Sequence, residues 1–325
     1  REPAAPVHRV HAGDELPDVV GLDQVVVGAG VQAEDAVVHL TARRHDDHRH
    51  VAPFPDRSAH VDPVDVGQAE VEQHHVYVRQ VVESMYGPEA LYRGAGLRIY
   101  TTLDPRLQAL AEETVRDGVT ALAARNASNG ALVAIDPSTG QIRAMVGSAD
   151  FQNESIDGQV NVTLRCRQPG SSIKPLTYVA SFERGWTPAT LFWDVRTEFP
   201  DGANLPYVPV NYDGSYHGPI LLRDALANSY NVPAVSALQF VGVDGLLDIA
   251  TRLGVVSLAH PEQYCPEYPY DSAPTYGLAL TLGSGEVRLI ELTAAYGALA
   301  SGGYRVPPRL IDEVVAADGT VLYRA

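Results

Sequence analysis

An α+β fold, with an antiparallel sheet flanked by helices, is what this chain of 325 residues predicts. Two observations carry the expectation. Short alternating runs rich in β-branched residues gather between Leu97 and Val146. Helical periodicity instead dominates from Leu221 to Leu253 and from Val287 to Ala300. Strands in one block and helices in another favour segregated layers over a βαβ alternation. The length suggests two domains or one large one, with ample chain for a buried core.

Composition changes near residue 75. Only His217 and His260, of 11 histidines, lie beyond it, and Phe54 is the single aromatic residue before it. Runs such as Val25-Val26-Val27 never settle into a strand or helix period, so residues 1–75 read as a poorly structured or spurious segment. Within it, Arg43 to His50 offers histidine and aspartate side chains that suit zinc or nickel. Three arginines interrupt them and no helical turn aligns them, so the cluster reads as a solvated charge run.

From Val76 onward the chain reads as globular protein. Tyr77 to Tyr86 has helical spacing and stops at Gly87-Pro88. Leu97 to Leu103 alternates as a strand. Asp104-Pro105 supplies an N-cap with proline in the first turn, opening an amphipathic helix over Leu107–Ala124. Gly130–Ile135 and Gln141–Val146 are strands joined through the turn Asp136–Gly140. Ser171 opens the next helix. Residues 76–128 are therefore a lead-in, and 129–325 a second unit.

Net charge is −16. Nucleic acid, which requires a basic face, is excluded as a partner. No apolar run reaches the roughly 18 residues of a membrane-spanning helix. Cys166 and Cys265 are too few for a disulfide framework, and unpaired, buried cysteines are expected rather than a bridge.

Lys174 is the only lysine; every other one of the 24 Lys and Arg side chains is arginine. Arginine stays protonated at any workable pH, whereas a desolvated lysine can lose its proton. Lys174 follows Ser171 by three residues, so the two share a helix face. A helix start adds free N–H groups and partial positive charge, which depress the amine and stabilise an oxyanion. A neutral Lys174 could then deprotonate Ser171 for acyl transfer. Ser172 is the competing hydroxyl, without the three-residue spacing to Lys174. Farther on, Asn228-Ser229-Tyr230-Asn231 lies between two helical runs. There Ser229 can relay a proton and the Asn231 amide can orient a peptide carbonyl.

Taken together, Ser-x-x-Lys at Ser171, Ser-x-Asn at Ser229 and the segments Leu97–Gln108, Val133–Pro137, Gly140–Gly147, Leu282–Val287 and Tyr296–Gly303 resemble the penicillin-binding transpeptidases. The likeness is greatest to their high-molecular-weight, bifunctional (class A) group. The resemblance implies a serine β-lactamase/transpeptidase-like fold, incomplete at the C-terminus. It also implies that Ser171 is the acylated nucleophile, Lys174 its base, Ser229 a proton shuttle and Asn231 the holder of the donor peptide. It further implies peptidoglycan stem peptides ending in D-Ala-D-Ala as substrates, β-lactams as mimics, no metal or organic cofactor, and the extracytoplasmic face of the bacterial membrane. A membrane anchor and a glycosyltransferase domain are expected in the parent protein.

The family's third motif, Lys-Thr-Gly, is absent. A chain without it is expected to be an inactive or impaired fragment with little or no turnover, which a detectable fluorescent-penicillin adduct on residues 76–325 would contradict. A serine β-lactamase and a non-catalytic β-lactam sensor are the alternatives within the fold.

Overall fold

The structure, a computed structural model, describes residues 25–28, 73–87, 97–200, 205–269 and 274–325. The Arg43–His50 cluster and most of the segment 1–75 lie outside them. Within that segment, Val25–Gly28 is a strand, paired antiparallel with Leu132–Ile135.

Leu132–Ile135 and Ile142–Val146 form the expected hairpin and make a three-stranded antiparallel sheet with Val25–Gly28. Alternation sends its side chains to opposite faces. Leu132, Ala134, Ala144 and Val146 meet Ala111 and Val115 of the helix Pro105–Ala121. Val133, Ile135, Ile142 and Met145 meet Ile290 and Ala294 of the helix Leu289–Ala300 on the other side. Asp104 caps the former helix, its carboxylate accepting from Arg106 N–H at 3.0 Å and Leu107 N–H at 3.3 Å.

Leu97–Thr101 is a strand, but it pairs with Ile311–Ala316 and not with the hairpin. A further strand, Val321–Arg324, completes that second three-stranded sheet. The lead-in is thus stitched to residues more than 200 positions away, a partner that local sequence pattern does not reveal. Leu191–Asp194 and Gly218–Leu221 form a separate two-stranded ribbon. The helical stretch expected from Leu221 to Leu253 is divided into Leu222–Ala227 and Asn231–Leu253, with Ser229 between them.

The largest core cluster joins Ile173, Leu176 and Ala180 to Leu238, Val241, Leu246, Leu280 and Leu292. It seats the helix Lys174–Glu183 against Asn231–Leu253. By length and composition the latter is the one described helix able to cross a membrane. Half of its apolar window is buried here, and Gly242 breaks its helical geometry at φ 72°.

The expectation of unpaired cysteines is overturned, because Cys166 and Cys265 form a disulfide. Cys166–Arg167 pairs with Val287–Arg288, which brings it to the turn after Pro261–Tyr264. A sequence separation of 99 hid this proximity. A loop of that length constrains the unfolded chain strongly. Reduction, or Cys166→Ala, is therefore expected to lower stability by roughly 2–5 kcal/mol in denaturant titrations.

Candidate active site

Gly170–Ile173 is a 3₁₀ turn that runs straight into the α-helix Lys174–Glu183. Ser171 therefore sits in the 3₁₀ turn and not on the α-helix that its spacing to Lys174 predicts. Gly170 takes φ 55°, a left-handed conformation open to glycine at little cost. The Lys174 N–H donates to Ser171 O, which closes the turn that carries both residues. Ser172 Oγ donates to Pro169 O at 2.6 Å, and Tyr296 OH donates to Ser172 O at 2.7 Å. That internal bond occupies the competing hydroxyl. The Ser171 side chain is exposed.

Lys174 is 1% exposed, and its Nζ donates to Ser229 O at 2.6 Å, to Asn231 Oδ1 at 2.7 Å and to Ser229 Oγ at 3.1 Å. Lys174, Ser229 and Asn231 are thus brought together across 57 residues of chain. Among the described residues, no hydrogen bond links the Ser171 hydroxyl to the amine. The direct contact implied by the three-residue spacing is replaced by a shared turn. An exposed hydroxyl can rotate, so the turn sets where the two groups can meet.

Burial lowers the Lys174 pKa to about 7, since desolvation disfavours the ammonium. The neutral amine has two N–H donors and one lone pair. Two of its three partners, Ser229 O and Asn231 Oδ1, are carbonyl oxygens that can only accept. They use both donors, and the lone pair is left for a hydroxyl. Hydroxyl protons of Ser229 and Ser171 are the two candidates at this site.

Ser229 adopts φ 55°, uncommon for a residue with a side chain. The twist follows the end of helix Leu222–Ala227, where Ser229 N–H donates to Leu226 O and Tyr230 N–H to Ala225 O. It places the Ser229 carbonyl and hydroxyl on the same amine. Backbone strain of this kind costs about 1–3 kcal/mol and persists where the surroundings hold it.

Sequence reasoning missed a second tier behind Asn231. Asp194, fully buried at 0% exposure, accepts from Asn211 Nδ2 at 2.9 and 2.8 Å. The ring of His217 stacks on Tyr230 at 3.9 Å between centroids, with Nδ1 2.7 Å from Asp194. The hydrogen bond to Asp194 raises the His217 pKa above its ordinary value. No local pattern marks Asp194, which is the last residue of the strand Leu191–Asp194. Among the described residues, no group of three or more His, Cys, Asp or Glu could hold a metal.

The penicillin binding protein transpeptidase domain, described across its family, matches residues 130–323. Penicillin-binding protein 2D of Bacillus subtilis is 39% identical over 234 residues, which cover 70% of this chain and 30% of the relative. Penicillin-binding protein 1A of Pseudomonas aeruginosa is 32% identical over 200 residues, covering 61% and 22% respectively. The chain thus spans less than a third of the length of these relatives. Among solved structures, penicillin-binding protein 1A from Haemophilus influenzae superposes with a TM-score of 0.65 at 20% identity, covering 79% of this chain and 50% of that one. PonA1 from Mycobacterium tuberculosis in complex with penicillin V gives 0.61 at 23% identity, covering 77% and 64%.

Proposed function

The chain belongs to the penicillin-binding protein transpeptidase family, and from that premise we propose that Ser171, Lys174, Ser229 and Asn231 are the acyl-transfer centre of a peptidoglycan D,D-transpeptidase. The observation that carries this reading is the sole lysine, buried, with a pKa near 7 and held on two carbonyl oxygens beside the Ser171 turn.

In the forward step Ser171 Oγ attacks the carbonyl carbon of the penultimate D-Ala, and its proton passes to Lys174. The carbonyl oxygen becomes an oxyanion beside the N–H groups that a helix start leaves without intrahelical acceptors. When the C–N bond breaks, Ser229 relays the proton from Lys174 to the departing D-Ala amine. An acceptor amine then attacks the Ser171 ester carbon; Lys174 takes the amine's proton and returns it to Ser171 Oγ as the acyl C–Oγ bond breaks, leaving the new peptide bond and free Ser171. A β-lactam enters by the same attack, but its leaving nitrogen stays tethered in the opened ring, and the ester persists. Asn231, with Oδ1 on Lys174 and one Nδ2 hydrogen on Val210 O, offers its second Nδ2 hydrogen to the donor peptide. The disulfide suits an oxidising compartment and supports a place in the cell envelope.

Mass spectrometry after prolonged incubation with benzylpenicillin tests the reading. A slowly formed, stable adduct on the Ser171 peptide, absent from Ser171→Ala, is expected. Rapid release of hydrolysed penicillin would instead assign a β-lactamase. Labelling of another residue, or of none, would overturn the acyl-transfer role of Ser171.

A further inference from the structure

Helix Asn231–Leu253 begins without a side-chain cap from its own N-cap residue, Tyr230. Asn211, on a separate loop, takes that place. Its Oδ1 accepts from Asn231 N–H at 2.7 Å and from Val232 N–H at 3.4 Å. The neighbouring Val210 O accepts from Asn231 Nδ2 at 2.7 Å. Adjacent residues thus hold Asn231 at two points, by backbone and by side-chain amide. With Nδ2 taken by Val210, the other end of the amide, Oδ1, is turned to Lys174 Nζ at 2.7 Å.

Asn211 is itself anchored from below. Its Nδ2 donates to both oxygens of Asp194 and to Ser215 O at 2.9 Å. Asp194 Oδ2 also accepts from His217 N–H at 2.9 Å. A buried carboxylate surrounded by donors is a demanding group, because any donor that leaves exposes an uncompensated charge. Asp194 therefore resists reorientation of the Asn211 amide. His217 closes the outer side, its Nε2 3.0 Å from Asp213 Oδ2 and its ring on Tyr230, between Ser229 and Asn231. Tyr178, one turn beyond Lys174 on its helix, is fully buried; burial and then the Asp194 charge push its phenol upward, so it stays neutral.

We propose that Asp194 and Asn211 are positioning residues: the buried carboxylate fixes the Asn211 amide, and Val210–Asn211 in turn fixes Asn231 against Lys174. The consequence for acyl transfer rests on the function proposed above, whereas the placement of Asn231 does not. A plain helix cap would contribute stability alone. A positioning pair also controls the surroundings of the amine.

The single lysine supplies the readout. Lysine labelled with nitrogen-15 gives one side-chain amine resonance, and its midpoint of titration reports the Lys174 environment. In Asn211→Ala, and in the near-isosteric Asp194→Asn, water should reach the loosened amine and relieve the burial that depresses it. The midpoint is expected to rise by about half a pH unit or more. Adduct formation with benzylpenicillin is expected to fall by on the order of 10- to 100-fold, as for a misplaced group. The exchanged pair Asp194→Asn with Asn211→Asp keeps an acceptor for Asn231 N–H and a donor between the two side chains, loses the bond to Ser215 O, and should recover part of both effects. A wild-type midpoint in either folded single variant, even with lowered thermal stability, would overturn the proposal. So would an exchanged pair no better than the single changes. If the wild-type chain never acylates Ser171 but the variants still move the midpoint and the exchange restores it, positioning stands and the transpeptidase reading falls.

Discussion

Lys174→Arg is expected to abolish detectable acylation of Ser171 and to remove the pH dependence of whatever adduct remains. Arginine carries more donors but has no accessible lone pair, since its guanidinium stays protonated. General-base assistance contributes on the order of 10²- to 10⁴-fold, and the substitution removes it entirely. The wild-type rate of adduct formation should climb as pH rises through about 7, where Lys174 gives up its proton. Labelling followed by intact-mass measurement from pH 6 to 9 checks this. A Lys174→Arg protein that labels at the wild-type rate would remove the amine from the mechanism.

The same group makes a separate prediction about stability. Its folded pKa of about 7 lies below the ordinary value of 10.5 that the unfolded chain retains. Below pH 7 the amine is charged in both states and the cost of burying it is fully present. Between pH 7 and 10.5 the folded protein has released the proton while the unfolded chain still holds it, so stability rises with pH. Above that window the amine is neutral in both states. Denaturant midpoints of the wild type, minus those of Lys174→Arg, should therefore increase from pH 7 to 9. Subtraction cancels shared contributions from His217 and the tyrosines.

Which of these residues could be read from the chain depended on how local their signals are. Ser171 and Lys174 lie in one turn, and a lone lysine among arginines marks the one Lys or Arg side chain that can readily lose its proton. Ser229 and Asn231 were legible because the break between two helical runs exposes them together. The Leu132–Val146 hairpin and the cap at Asp104 were also local, set by alternation and turn chemistry. Contacts that cross the chain were not legible. Leu97–Thr101 announced itself as a strand but not as the partner of Ile311–Ala316. Cys166 and Cys265 looked like two small apolar residues until the fold set them side by side. Asp194 and Asn211 carry no local mark, because their role exists only where a ribbon, a loop and a helix start converge. The direct Ser171–Lys174 contact failed for a smaller reason. Three-residue spacing aligns side chains on an α-helix, but Ser171 sits in a 3₁₀ turn where that alignment shifts.

Gly283→Ala should be among the most damaging single changes in the protein, although it adds one methyl group. Gly283 ends the 3₁₀ segment Leu278–Leu282 in a left-handed conformation, φ 89°. A Cβ there would lie 2.3 Å from Gly170 N and 2.4 Å from both Gly170 Cα and Gly170 O. The three nearest atoms are all backbone, so they cannot swing aside as a side chain would. Either Gly283 leaves its conformation or Gly170, the residue before Ser171, moves. Left-handed strain of about 1–3 kcal/mol adds to an overpacking cost of about 1–3 kcal/mol. A loss of roughly 2–6 kcal/mol in denaturant titrations is expected, together with loss of the Ser171 adduct. Gly302→Ala is the control: φ is also positive there, at 72°, but nothing lies within 4 Å of the added atom. It should cost only the backbone strain of about 1–3 kcal/mol and leave labelling intact. Equal losses in the two variants would mean that close packing on Gly170 does not hold the Ser171 turn in place.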